Sequence, residues 1–358
     1  MCYLRIVLQV LQRVTEAVID TVNDPDDDRL AALKAWLAGI EFVAGADPVP
    51  ASVDASFRRY FRLQKGQDSF IAMDAPPARE DSRPFIRVAG YLESMGLNAP
   101  RVIEADLDAG FLLLTDLGAI SYLGELQRDA GRAGALYGDA LLALSRMQSQ
   151  GAAFQSHLPP YDDALLRFEL SLFHDWLCGR QLGIGFDGDD EDRWQAVCDF
   201  LVADALDQPQ VFVHRDYHSR NLMVTARENP GILDFQDAVE GPLTYDLVSL
   251  LKDCYVSWPQ DRVVDWVRQY HAGSDVVAWA GMDFDGFRRH FELMGVQRHL
   301  KASGIFARLN LRDGKPGYLA DVPRTLHYIV EVAPRYRELA FLERLIVDRC
   351  LPALEAPA

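Results

Sequence analysis

The chain has 358 residues, 49% of them apolar and 25% charged, which is the balance of a globular protein with a large core. Acidic residues outnumber basic ones, 53 to 36, for a formal net charge of -17. That excludes a general nucleic-acid or anionic-membrane surface, either of which needs a basic face. A few clustered cations can still define a pocket for a small anion.

In chain order, MCYLRIVLQVLQRV at the start resembles a signal peptide only briefly. Arg5, Gln9, Gln12 and Arg13 interrupt it, and the expectation is an amphipathic fragment or an over-extended start outside the fold. After the acidic run Asp24–Asp28 a helix is expected over 29–40. Strand texture follows at 56–63, 69–75, 101–106 and 111–117, with a helix over 83–95 on which Phe85, Val88, Ala89 and Leu92 recur at helical spacing. Beyond Ser121 long amphipathic helices are expected over 130–150, 164–179 and 192–205. Two short strands, 211–214 and 231–235, interrupt them, and helices resume to the end. The organisation is α+β and bilobal: an extension over 1–28, a small β-rich N-lobe over 29–118, and a large mainly helical C-lobe over 119–358.

The five cysteines (Cys2, Cys178, Cys198, Cys254, Cys350) show no CxxC or Cys/His ligand spacing, so neither a disulfide framework nor a zinc site is suggested. A reducing cytoplasm is the matching environment. No other stretch approaches the roughly 20 apolar residues of a membrane span.

The segments HRDYHSRNLMV (214–224) and GILDFQDAVEGPLTYDLVSLL (231–251) carry the chemistry. Asp216 and Asn221 stand five positions apart on a loop leaving a strand, and Asp234 ends the next strand. Phosphoryl transfer needs a group to position the attacking hydroxyl and hard oxygen ligands for Mg²⁺ against the triphosphate. One carboxylate, one carboxamide and a second carboxylate meet that need. Turn-capping carboxylates and an ordinary loop Asn are the alternative, which leaves the joint spacing to coincidence.

This spacing resembles the H-R-D-x-x-x-x-N and D-F-G pattern of kinases, with Gln236 at the glycine position. The resemblance makes Asp216 the catalytic aspartate, and Asn221 and Asp234 the Mg²⁺ ligands. It makes His214 a structural member of the loop. Among aminoglycoside phosphotransferase relatives, whose fold is protein-kinase-like, the position of Asp246 helps hold that loop. The segments SxDASFRRYFR, FIAMDAPP, HRDYHSRNLM, LDFQDAVEGPLTYDLVSLLKD and GVQRHLKASGIFARL together are similar to the bacterial N-acetylmuramate/N-acetylglucosamine anomeric kinases. That family implies ATP-dependent phosphorylation of the anomeric hydroxyl to an α-1-phosphate in cell-wall recycling.

No P-loop is present, and the G-x-G-x-x-G string at Gly183, Gly185 and Gly188 runs into acidic residues, so it reads as a surface loop and helix cap. Phosphate contacts are expected instead from the loop at Ser52–Ser56 and from Arg58 and Arg59, each arginine being equally readable as a solvated strand residue. Adenine is expected beside the strand ending in Thr115, Asp116 and Leu117. Met73 occupies the position of the third-strand lysine of kinases, so either another cation (Arg58, Arg59 or Lys65) replaces it or nucleotide affinity is low, and Glu93 reads equally as the counterpart glutamate or as a surface charge. For the sugar, Gln297, Arg298 and Lys301 are candidates, Gln297 and Lys301 sharing a helix face. Arg298 or Lys301 is a candidate to pair with the lactyl carboxylate of N-acetylmuramate, each being equally readable as a solvated helix charge. Arg220 and Lys252 are weaker candidates. The expected ligands are ATP, Mg²⁺ and a small sugar, in a monomer. Other acceptors (an aminoglycoside, choline, homoserine or a protein hydroxyl) and a nucleotide-binding pseudokinase are the competing readings.

Overall fold

A computed structural model describes residues 28–53 and 57–355. The expectations for the N-terminal segment and for Ser56 fall outside the described residues. The chain divides into two compact units, the first running to Ala119 and also taking in Gly231–Gln236, the second holding the rest.

The first unit is a five-stranded antiparallel sheet of order β1-β2-β3-β5-β4. Its strands are β1 (Val49–Val53), β2 (Arg59–Lys65), β3 (Asp68–Asp74), β4 (Val102–Asp106) and β5 (Phe111–Thr115). Two helices accompany them, α1 (Asp28–Ala38) and α2 (Arg83–Ser94). Period-2 alternation sends Phe61, Leu63, Ala72, Phe111 and Leu113 to one face, where they pack with Leu33, Leu37 and Val43. α2 buries Phe85, Val88, Ala89 and Leu92, the residues at helical spacing. Phe235 joins this unit, its ring centroid 4.8 Å from that of Phe85, and the Ile232 N–H donates to the Asn98 carbonyl at 2.7 Å.

The second unit contains α3 (Tyr122–Arg128), α4 (Ala133–Gly151), α5 (Asp163–Leu172), α6 (Gly188–Asp207), α7 (Tyr245–Leu251), α8 (Gln260–Gly273), α9 (Asp275–Ala280), α10 (Phe284–Asp313) and α11 (Val322–Val332). α5 continues into a π-helical stretch, Phe173–Gln181. Strand β6 (Gln210–Val213) pairs antiparallel with β9 (Val239–Pro242), the short β7 (Leu222–Met223) and β8 (Gly231–Ile232) intervening in sequence. Two expectations need correction here. The strand expected over 231–235 stops at Ile232, so Asp234 lies two residues past it rather than at its end. The partner of β6 is VEGP, whose glycine and proline hid it as a strand. α10 is the axis of this unit: every residue from His290 to Leu300 is buried, charged ones included. A helix enclosed all round has no polar face and carries its polar side chains into the interior.

Among the described residues no helix is long and apolar enough to cross a membrane, and Asp187 caps α6 through its side chain at the chance glycine string.

Candidate active site

β6 delivers the chain into His214, which is fully buried. The N–H groups of His214 and Arg215 donate to the two carboxylate oxygens of Asp246 at 2.6 and 2.9 Å. Asp246 comes from the first turn of α7 and is itself enclosed. Burial pushes its carboxyl up, the two N–H bonds pull against that, and it stands at about 7. Arg215 takes φ +75, a left-handed conformation that non-glycine residues hold only where surroundings enforce it. The pair of bonds to Asp246 supplies that enforcement and aims the next residue, Asp216.

The rest of the loop is tied down through its own backbone. The Asp216 carbonyl accepts from the His218 N–H and from Asn221 Nδ2, both at 3.0 Å. The Ser219 N–H and hydroxyl donate to Asp253 Oδ2 at 3.0 and 2.5 Å. The Tyr217 hydroxyl donates to the Ala140 carbonyl at 2.9 Å. The bond from Nδ2 fixes the Asn221 amide, so Oδ1 is the atom a hard cation would take.

Asp216 lines a cavity of about 100 Å³ with His218, Tyr245, Tyr255, Arg298, Lys301 and Phe306 among its neighbours. Burial pushes the Asp216 carboxyl up, but the charges of Lys301, Arg298 and Arg215, joined by His218 when it is protonated, outweigh it and leave the group below the ordinary carboxylate range. It is therefore ionised at neutral pH. Two of these cations meet a second buried carboxylate, Glu169 of α5, which pairs with Arg215 at 2.6 Å and Lys301 at 2.7 Å. Glu169 also accepts from the Tyr161 hydroxyl and from Gln297 Nε2, the latter at 3.3 Å. Lys301 further donates to the Tyr245 hydroxyl at 2.8 Å. Gln297 and Lys301 thus do share a helix face, and that face meets Glu169. Gln297 does not line the cavity; Arg298 and Lys301 do. The Arg220 guanidinium lies over the Tyr255 ring at 4.7 Å, outside the cavity lining. Lys252 is buried elsewhere in the unit, between the Phe291 and Tyr328 rings.

In the first unit Asp234 sits at φ +63, its carboxylate accepting from Gln236 Nε2 at 2.8 Å. Two of the three described non-glycine residues with positive φ are thus Arg215 and Asp234, at the two acidic signatures read from the sequence. Arg58 is ion-paired with Glu80 at 3.0 Å, and Arg59 with the buried Asp74 at 2.5 Å. Arg29 shares Asp74. Neither arginine is the solvated strand residue of the alternative reading. Met73 is wholly buried in β3. Lys65 donates to the Ala44 carbonyl, and Glu93 is exposed, so Glu80 rather than Glu93 is the glutamate with a cationic partner. Thr115 exchanges bonds with the Arg101 backbone, and the Asp116 carboxylate is held by Arg62 at 2.6 Å and Ser69 at 2.5 Å. Leu117 is half-buried.

Glu169, Asp253 and Tyr245 escaped the sequence reading. For Glu169 a signal was present: it falls one helical turn after Leu166 on the face that also buries Leu170, an acid where an apolar residue is expected. Among the described residues no three His, Cys, Asp or Glu side chains cluster as a metal cage.

Residues 48–284 match the model of the phosphotransferase enzyme family APH. The chain belongs to that family. Within it, the chain is 49% identical over 337 residues to an N-acetylmuramate/N-acetylglucosamine kinase of Pseudomonas aeruginosa, covering 90% of this chain and 97% of that one. A protein of the same description from Neisseria meningitidis is 41% identical, covering 89% and 96%. Among solved structures, choline kinase of Streptococcus pneumoniae superposes with a TM-score of 0.59 at 11% identity, covering 84% of this phosphotransferase and 98% of that chain. An ADP-bound aminoglycoside phosphotransferase superposes at 0.55 and 13% identity, covering 83% and 97%. These distant likenesses establish the fold as protein-kinase-like.

Proposed function

We propose that this phosphotransferase transfers the γ-phosphoryl group of ATP to the anomeric hydroxyl of N-acetylmuramate and N-acetylglucosamine, giving the α-1-phosphate used in cell-wall recycling. The observation that carries the reading is Asp216: an ionised carboxylate, rigidly aimed, on the wall of a cavity whose other walls are aromatic and cationic. Near-half identity along nine-tenths of the chain to a kinase of that description supports the acceptor. A cytoplasmic, monomeric enzyme is the corresponding expectation.

In this reading Asp216 accepts a hydrogen bond from the sugar hydroxyl and orients its lone pair toward phosphorus. A carboxylate held below its usual range is a weak base, so its main work is positioning; it takes the hydroxyl proton late, as the bond to phosphorus forms and the bond from phosphorus to the ADP oxygen breaks. Phosphoryl transfer through a loose transition state asks little more of a base. Asn221 and Asp234 are the proposed Mg²⁺ ligands; the ion, when bound, neutralises charge on the β- and γ-phosphates. Arg58 and Arg59 are the proposed phosphate contacts in place of a third-strand lysine, with Ser56, Thr115, Asp116 and Leu117 assigned to the nucleotide. The rings of Tyr245, Tyr255 and Phe306, which line the cavity, suit the faces of a pyranose.

The test is ADP release with ATP, Mg²⁺ and a panel of acceptors: the two sugars, kanamycin, choline and homoserine. Turnover with the sugars alone, lost by at least about a thousandfold in Asp216→Ala and Asp234→Ala at unchanged Tm, is the expected result. Wild-type-like turnover in either variant, or preference for a cationic acceptor, refutes the proposal.

A further inference from the structure

Lys301 and Arg298 both line the cavity beside Asp216, yet their surroundings differ. Lys301 has its charge answered, by Glu169 at 2.7 Å and the Tyr245 hydroxyl at 2.8 Å. Arg298 is buried, its Nη1 reaches only the Cys254 sulfur at 3.9 Å, and its Nε has no hydrogen-bond partner among the described residues. Of the carboxylates whose charge acts on it, Asp216 shares the cavity wall without hydrogen-bonding to it, and Asp253 is already committed. Asp253 takes the Ser219 N–H and hydroxyl on one oxygen and the Tyr255 N–H, at 2.9 Å, on the other. Glu169 holds Arg215 and Lys301. A buried guanidinium without a carboxylate partner is costly unless something supplies one. His218 lines the same wall with an unpartnered Nδ1, and burial keeps its imidazole neutral, able to donate one N–H.

We infer that Arg298, assisted by His218, is the residue that selects an acidic sugar over a neutral one, its Nε edge receiving the substrate carboxylate side-on. The inference rests on the sugar-kinase reading and deepens it. N-Acetylmuramate differs from N-acetylglucosamine by a lactyl ether that ends in a carboxylate. A planar guanidinium edge matches that group with two parallel N–H bonds, which an ammonium cannot do. The sugar hydroxyl is then held at Asp216 while the acid end is anchored at Arg298, both on one cavity. Arg298 is thus a specificity residue and takes no part in bond making.

The experiment compares kcat/KM for N-acetylmuramate, its methyl ester and N-acetylglucosamine in the wild-type chain, Arg298→Gln and Arg298→Lys. In the wild type, esterification is expected to lower kcat/KM about 10- to 100-fold, mainly through KM, the loss of a charge-assisted bidentate contact. In Arg298→Gln the ratio of N-acetylmuramate to N-acetylglucosamine is expected to fall by a similar factor, with the ester and the acid becoming equivalent. Arg298→Lys should recover part of the ratio. Equal losses for all three substrates in the variants, or a wild type indifferent to esterification, overturns the inference while leaving the sugar-kinase reading standing. The ester comparison needs no variant, so a failure of Arg298→Gln to fold does not shelter the claim. A wild-type chain that phosphorylates neither sugar ends both.

Discussion

Lys252 shows how strongly this interior acts on single charges. Its side chain is enclosed between the Phe291 and Tyr328 rings, and burial pushes its amine down to about 8, with Glu331 and Glu292 pulling up and Arg335 and Arg288 pushing down. Below about pH 8 the amine is charged in the folded and the unfolded chain, and its desolvation weighs on the fold. Between about 8 and the ordinary lysine value of 10.5 the folded chain releases the proton while the unfolded chain keeps it. The unfolded state then binds more protons, so this group makes stability rise with pH across that window. Urea unfolding of Lys252→Met against wild type should therefore show the variant gaining most near pH 7 and the gap narrowing toward pH 10; a gap independent of pH contradicts the assignment. At the same scale, the acidic signatures were legible because Asp216, Asn221 and Asp234 are spaced locally. Their supports were not: Arg215 reaches Glu169 across 46 positions, and Gln297 across 128, and no local pattern encodes such partners.

At the scale of elements, α10 decides the second unit. Its Gly304 lies against α5 so closely that a Cβ there would run into the Leu172 carbonyl and the Phe173 nitrogen. These are backbone atoms, which cannot swing aside. Gly304→Ala is expected to destabilise by about 1–3 kcal/mol, although alanine favours helix by close to 1 kcal/mol. Because Lys301 precedes it by less than one turn and Glu169 stands on α5, the same change should disturb the Lys301–Glu169 pair. A shift of the urea midpoint to lower denaturant at constant m-value is the readout; a neutral or stabilised variant contradicts this packing. The sequence revealed helices and strands with one apolar face, such as α2, β2 and β3, because their period shows. It misplaced β8 and missed β9, where two paired residues or a Gly-Pro sequence carry too little pattern.

Over the whole molecule, an excess of acid coexists with cations concentrated where chemistry needs them. The chain carries a net charge of -17, yet Arg215, Arg298 and Lys301 all act on Asp216. Sequence composition gives the first fact and conceals the second, since clustering is a property of the folded chain. The family and the fold were readable from the two acidic signatures within an α+β order of elements; the acceptor was readable only through resemblance. Phosphorus NMR of the products formed from ATP, Mg²⁺ and N-acetylmuramate tests the account most directly. A new phosphomonoester resonance split by the anomeric proton, absent when EDTA replaces Mg²⁺, is the predicted result. Unchanged ATP, or a phosphate coupled to the methylene protons at the far end of the ring, would contradict it.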